Sequence, residues 1–264
     1  HISGAALICL CSPQNPTGTT LDKTELEKIC HLVLDENKRR GEKEKKLYVM
    51  YDQMYWMLTF GDVQHHNPVS LVPAMKDYTI FVDGISKTFA ATGVRVGWGL
   101  GPAKVIGKMK AFLSHIGAWS PIAEQKATAL FLQNTPAVDA YLSVFKKKIE
   151  ERLHYIYNAF QALKQKGFPV DAITPQAAIY LTVKIDLKGK FVAGKPLATQ
   201  AAVTDYILSD AKLAIVPFSC FGASSESPWY RISVGTCSID DLGIVFQQLE
   251  QSLDKVMEGT TALA

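Results

Sequence analysis

The chain has 264 residues, 28 of them Lys or Arg and 25 Asp or Glu, and 48% of it is hydrophobic. At ~150 residues per domain this length suggests about two domains, and the apolar fraction is too high for intrinsic disorder. A net charge of +3 lacks the concentrated basic face that nucleic acid or an anionic membrane demands. No apolar run approaches the ~20 residues that span a bilayer. Neither nucleic acid nor membrane is expected as a partner, and the expected compartment is the cytoplasm. The opening His-Ile-Ser-Gly-Ala has no initiator Met and no basic-then-apolar signal order, so a cut at the front of the chain is expected.

Cys9, Cys11, Cys30, Cys220 and Cys237 are odd in number and form no Cys-x-x-Cys pair. That spacing argues against a disulfide framework or a zinc site, and buried free thiols are expected instead. His65-His66 lies in a polar stretch beside Pro68 and reads as solvated or core histidine.

In chain order, residues 6–11 (ALICLC) form a short apolar run ended by Ser-Pro, a buried strand. Leu26, Ile29, Cys30 and Val33 repeat at helical spacing, with Asp22 and Glu25 as a capping pair and Gly41 as a stop. The mixed-charge stretch over residues 38–46 reads as a solvated helix end and loop. Residues 47–51, 79–82 and 94–100 are further apolar strands, followed by a helix over 103–116. Continuous rather than alternating strands, separated by helices, predict a parallel sheet covered on both faces. The fold class is therefore α/β.

After Pro136 the pattern changes. One long periodic helix runs from Val138 to about Gln165, roughly 40 Å at ~1.5 Å per residue, and is read as the element linking two domains. A strand (178–185), a helix (197–211), short strands (213–216 and 230–234) and a terminal helix from Asp240 follow. The organisation expected is 1–136 as one domain and 137–264 as the long helix plus a smaller α+β domain.

Loops leaving the carboxyl ends of parallel strands are where α/β proteins build sites. The first strand here exits into Ser12-Pro13-Gln14-Asn15-Pro16-Thr17-Gly18, and the second ends at Asp52 with Tyr55 three residues on. The third ends at Asp83 and runs into Ser86-Lys87-Thr88, with Arg95 eight residues beyond Lys87. Singly these signals are weak, since Asn-Pro-Thr-Gly is also simply a good turn. As an ordered set they resemble the fold-type I pyridoxal-phosphate enzymes, the class I/II aminotransferases, and most of all the aspartate aminotransferase branch. The motifs carrying that resemblance are Asn15 to Gly18 (NPTG), Asp52-x-x-Tyr55, Ser86 to Trp98 (SKTFAATGVRVGW), Pro217 to Gly222 (PFSCFG) and Tyr230-Arg231-Ile232-Ser233.

The resemblance implies pyridoxal 5'-phosphate as cofactor, an amino acid and a 2-oxo acid as substrates, and a homodimer when intact. It implies Lys87 as the residue bonded to the cofactor aldehyde and as proton shuttle, a role that needs its pKa lowered by nearby positive charge or burial. Asp52 would pair with the pyridine nitrogen. Tyr55 and Asn15 would donate to the phenolic oxygen, with Asn15 also beside the substrate. Arg95 and Ser86 would hold the phosphate, and Arg231 the substrate α-carboxylate, a bidentate match in each guanidinium case. Tyr180 and Phe218 are candidates for the substrate-side wall. Other pyridoxal-phosphate lyases or synthases use the same scaffold, and a non-catalytic fragment is a further alternative.

This sequence departs from the family pattern at Gly84, where a serine is common, at Val94, where a tryptophan often stands, and at Phe218, which replaces a glycine. The family also has a substantial segment before the NPTG turn, including a glycine-rich phosphate-binding turn, which has no counterpart here. The part present therefore reads as the C-terminal portion of a mostly parallel transferase sheet followed by the small domain.

Overall fold

The computed structural model describes residues 2–261. The chain divides into two compact units. One holds Thr19–Phe145 with the segment up to Asn15, and the other holds Pro16–Gly18 with the chain from Lys146 on. Among the described residues no helix is long and apolar enough to cross a membrane.

The first unit comprises β1 (Leu7–Cys11), α1 (Lys23–Arg40), β2 (Tyr48–Asp52), a short α2 (Pro68–Leu71), β3 (Thr79–Gly84), β4 (Gly97–Leu100), α3 (Ala103–Ile116) and α4 (Ile122–Gln133). The sheet order is β1-β2-β3-β4. Strands β1, β2 and β3 run parallel, with Leu7 opposite Tyr48 and Val49 opposite Thr79. Strand β4 is antiparallel to β3, Asp83 facing Trp98. The sheet is thus mostly parallel, as expected, and β4 is reversed at its edge because the loop between Gly84 and Gly97 turns the chain back without a crossover helix.

Helix α1 begins where its sequence predicts. The Asp22 carboxylate accepts the Glu25 N–H at 2.8 Å, and Gly41 closes the last turn with φ +63°. Its Leu26, Cys30 and Val33 pack with Leu47, Val49, Tyr51 and Met75 into the unit's core. The outer strands are different. Leu7 and Cys9 of β1 are exposed, no residue of β4 is fully buried, and α3 buries none of its residues. A sheet covered on both faces is therefore not what these residues form; β2 and β3 are its enclosed strands. The cysteine expectation falls with it. All five are free, but only Cys30 is buried, while Cys9 and Cys220 are exposed, Cys9 because it alternates onto the open side of β1.

Helix α5 (Thr135–Gln165) has 31 residues, about 46 Å at ~1.5 Å per residue. Pro136 lies in its first turn rather than before it, where a missing N–H leaves no bond unmade. The division between units falls inside this helix, between Phe145 and Lys146. The second unit adds β5 (Val170–Ala172), β6 (Tyr180–Ile185), β7 (Phe191–Val192), β8 (Lys195–Pro196), α6 (Gln200–Asp210), β9 (Val216–Pro217), β10 (Trp229–Ser233) and α7 (Ile239–Thr261). Its main sheet has the antiparallel order β5-β6-β10-β9. Helix α6 starts later than predicted because Thr199, not Leu197, accepts the capping N–H from Ala202 at 3.1 Å. Helix α4, strand β5 and the β7–β8 pair were not anticipated.

Candidate active site

Three strand exits and one strand entry of the first unit carry the predicted polar groups. At the β1 exit, buried Ser12 accepts the Leu21 N–H on Oγ at 3.0 Å and donates its own N–H to the Asp52 carbonyl at 3.0 Å. The Gln14 N–H bonds the Thr19 carbonyl at 2.8 Å, closing a loop on which Asn15 is exposed. The rest of the NPTG turn belongs to the second unit. There the Thr182 hydroxyl donates to the Thr17 carbonyl at 2.9 Å. Gly18 has φ +72°, and a Cβ on it would lie 2.2 Å from the Tyr180 carbonyl oxygen. Only glycine fits both demands.

At the β2 exit, half-buried Asp52 accepts the Met54 N–H on Oδ1 at 3.0 Å. The Gln53 N–H extends the ladder to the Val82 carbonyl at 3.0 Å, and the chain then turns through a Trp56 N–H to Gln53 carbonyl bond of 2.9 Å. Tyr55, between them, is buried. At the β3 exit, Ser86 and Lys87 are half-buried. Thr88 donates to the Met54 carbonyl at 3.4 Å, and the Ser86 carbonyl accepts from Thr92 at 3.1 Å. Arg95 precedes β4 in the left-handed region, φ +61°, and its Nη1 donates to the Thr92 carbonyl at 2.9 Å. Asp52, Tyr55, Ser86, Lys87 and Arg95 thus stand on adjoining segments of one unit.

The packing accounts for one departure from the family pattern. A Cβ at Gly84 would come within 2.9 Å of the Gly97 Cα and the Val96 carbonyl, so a serine does not fit where β4 closes against β3.

Arg231 belongs to the second unit, in mid-β10 opposite Thr182 and Val216. Its guanidinium carbon sits 4.6 Å over the Tyr180 ring and 5.0 Å over the Phe221 ring. Both contacts orient the planar fork and favour its charge. Phe218 stands edge-on to Phe221, centroids 6.0 Å apart, so it touches the aromatic that flanks the arginine. Phe221 went unremarked in the sequence, although it lies in the PFSCFG turn.

Two further groups, Asp83 at the end of the third strand and His65, gain partners in the fold that sequence spacing does not reveal. Asp83 is buried, accepts the Gly84 N–H at 2.7 Å and the Trp56 indole N–H at 2.9 Å, and burial raises its pKa above the ordinary value. His65 packs between the Tyr51 and Trp56 rings at 6.0 and 6.2 Å. Burial holds its pKa down at about 4, with His66 adding to the effect, so the core reading of this histidine is the one realised. Among the described residues no group of three His, Cys, Asp or Glu side chains is placed to hold a metal ion.

Comparison with known proteins assigns the chain to a family. The model of "Aminotransferase class I and II" matches residues 2–249. The chain is 29% identical over 245 residues to the aspartate aminotransferase of Pyrococcus abyssi, covering 93% of this chain and 54% of that protein. It is 28% identical over 229 residues to the aspartate aminotransferase of a Bacillus species, covering 87% and 53%. Among solved structures, the aromatic aminotransferase from Pyrococcus horikoshii OT3 aligns with TM-score 0.81 at 26% identity, over 96% of this chain and 61% of that one. The aspartate aminotransferase from Rhizobium meliloti aligns with TM-score 0.80 at 26% identity, over 95% and 58%. The chain spans about half the length of the curated relatives it matches.

Proposed function

The chain belongs to the class I and II aminotransferases, and from that premise we propose that it forms part of a pyridoxal-phosphate transaminase. The reaction assigned is transfer of an amino group between an amino acid and a 2-oxo acid, in a cytoplasmic homodimer. Aspartate is the first donor to test, on the names of the relatives from Pyrococcus abyssi and the Bacillus species. One observation supports the reading: a carboxylate, a phenol, a hydroxyl, a lysine and a guanidinium stand on adjoining segments, the β2 exit, the β3 exit and the entry to β4.

That donor set fits the cofactor's polar features one by one. Asp52, its Oδ1 fixed by the Met54 N–H, would accept from the protonated ring nitrogen. Tyr55 and Asn15 would donate to the ring phenolic oxygen. Ser86 and Arg95 would bind the phosphate dianion, for which a guanidinium fork is suited. Lys87 would hold the aldehyde carbon in the resting protein. When bound, pyridoxal phosphate supplies an electron sink for charge developing at the substrate Cα.

This chain's residues do the rest. Arg231, its plane set by Tyr180 and Phe221, would grip the substrate α-carboxylate with two parallel hydrogen bonds and fix the direction of the Cα–H bond. Lys87 would take the proton from the substrate Cα and return it, as a general base and then acid.

Borohydride reduction of the chain mixed with pyridoxal phosphate, followed by peptide mapping, tests the assignment. A phosphopyridoxyl group should appear on Lys87 and be absent from Lys87→Ala. Equal labelling scattered over surface lysines in both proteins would overturn the reading. Where transamination of aspartate is measured, Lys87→Ala should lower it by about 10²–10⁴-fold.

A further inference from the structure

We propose that Asp83 is a positioning residue: it holds the β2 exit, with Asp52 and Tyr55, against the β3 exit that carries Lys87. The inference rests on the pyridoxal-phosphate reading above.

Asp83 lies in β3, four residues before Lys87, and is only 6% exposed. Its two oxygens point to two different segments. Oδ1 accepts the Gly84 N–H at 2.7 Å, within its own strand exit. Oδ2 accepts the Trp56 indole N–H at 2.9 Å, 27 residues away in sequence. The Gln53 side chain also hydrogen-bonds this carboxylate. Gln53 follows Asp52 directly and Trp56 follows Tyr55 directly, so each of the two residues expected to touch the cofactor ring is next in sequence to a side chain anchored on one buried carboxylate. Backbone stitches run beside it, from the Gln53 N–H to the Val82 carbonyl and from the Thr88 hydroxyl to the Met54 carbonyl. His65 packs on the far partner, its ring 6.2 Å from that of Trp56.

A buried carboxyl is costly unless its oxygens are satisfied, and burial raises its pKa here despite three donors. Simple packing of the sheet would be served as well by an apolar side chain. Asparagine would not serve either: it offers one acceptor oxygen and turns an NH2 group toward a donor. The position therefore calls for two acceptors, and what they fix is the placement of Asp52 and Tyr55 relative to Lys87. Sites of this kind need their groups held within about 0.5 Å.

The test uses Asp83→Asn, Asp83→Leu and Trp56→Phe in the 264-residue chain. Ser252→Ala is a control that loses a hydrogen bond to Asp210 in the second unit. Hydrogen exchange of the Trp56 indole N–H, assigned by its disappearance in Trp56→Phe, needs no cofactor. It should quicken about tenfold or more in both Asp83 variants, as loss of a charge-assisted bond requires. The pyridoxal phosphate concentration giving half-maximal borohydride trapping at Lys87 should rise about tenfold in both Asp83 variants, rise less in Trp56→Phe, and stay at the parent value in Ser252→Ala. Unchanged indole exchange, or unchanged trapping with only a lowered melting temperature, would overturn the proposal. If the Asp83 variants do not fold, Trp56→Phe carries the test, and trapping at the parent value there overturns it. Failure of the parent chain to trap at Lys87 instead sinks the transaminase reading, and the exchange arm then decides on Asp83 alone.

Discussion

The Arg40 guanidinium donates to the carbonyls of Ile2, Ala5 and Lys45 at 2.7–2.9 Å and to the Glu36 carboxylate at 2.8 Å. It lies in a stretch whose mixed charges read as a solvated helix end, yet it is buried. Arg39 and Arg40 together hold the Glu36 carboxyl down at about 2, against an ordinary ~4.3. A depressed acid stabilises the fold above its unfolded pKa, so this contribution is complete above about pH 5 and disappears as pH falls from about 4 through about 2. Glu36→Gln should lower the melting temperature at neutral pH and flatten its decline between about pH 4 and 2, recorded as melting curves against pH. Gly18 gives a second test at this scale. Gly18→Ala must take an L side chain to φ +72° against the Tyr180 carbonyl, and should cost about 1–3 kcal/mol in denaturant unfolding.

Two amphipathic helices show that the same sequence pattern can end in different packing. Helix α5 buries Ile149, Leu153, Ile156, Phe160 and Leu163, and the Phe160 ring meets Phe246 of α7 edge-on at 5.5 Å. Phe160→Ala should destabilise the second unit by about 3–5 kcal/mol. Helix α3 has an apolar stripe of similar spacing, Met109, Phe112, Leu113 and Ile116, but Phe112 is 64% exposed. Phe112→Glu should therefore change unfolding free energy by no more than about 0.5 kcal/mol. A large loss in Phe112→Glu, or a small one in Phe160→Ala, would contradict these packing assignments.

For the molecule as a whole, the chain corresponds to about half of its relatives' length, and its first unit shows large apolar side chains to solvent. Trp119, Ile122 and Leu130 are each 64–69% exposed, near the α3 stripe in sequence. Surface of this kind associates or binds hydrophobic dyes. The 264-residue chain should bind such a dye and sediment with concentration-dependent mass, and Phe112→Glu combined with Leu130→Lys should reduce both. Monomeric sedimentation with no dye binding would contradict the exposure.

Much of the fold was legible because its determinants are local. The apolar runs that became β1, β2 and β3, the Asp22 cap, the Gly41 stop and the polar strand exits each depend on spacing or turn chemistry within a few residues. So did the family, through motifs written contiguously around Asn15, Asp52, Lys87 and Arg231. Tertiary structure decided the reversed direction of β4, the openness of the outer strands and the burial of Arg40. It also decided the aromatic pair around Arg231 and the bond from Trp56 to Asp83. For Arg40, Arg231 and Asp83 the deciding partners include ones distant in sequence, Ile2, Tyr180 and Trp56. Periodicity records that a side chain is apolar or charged, whereas burial and pairing depend on which remote backbone, ring or donor the completed fold brings to it.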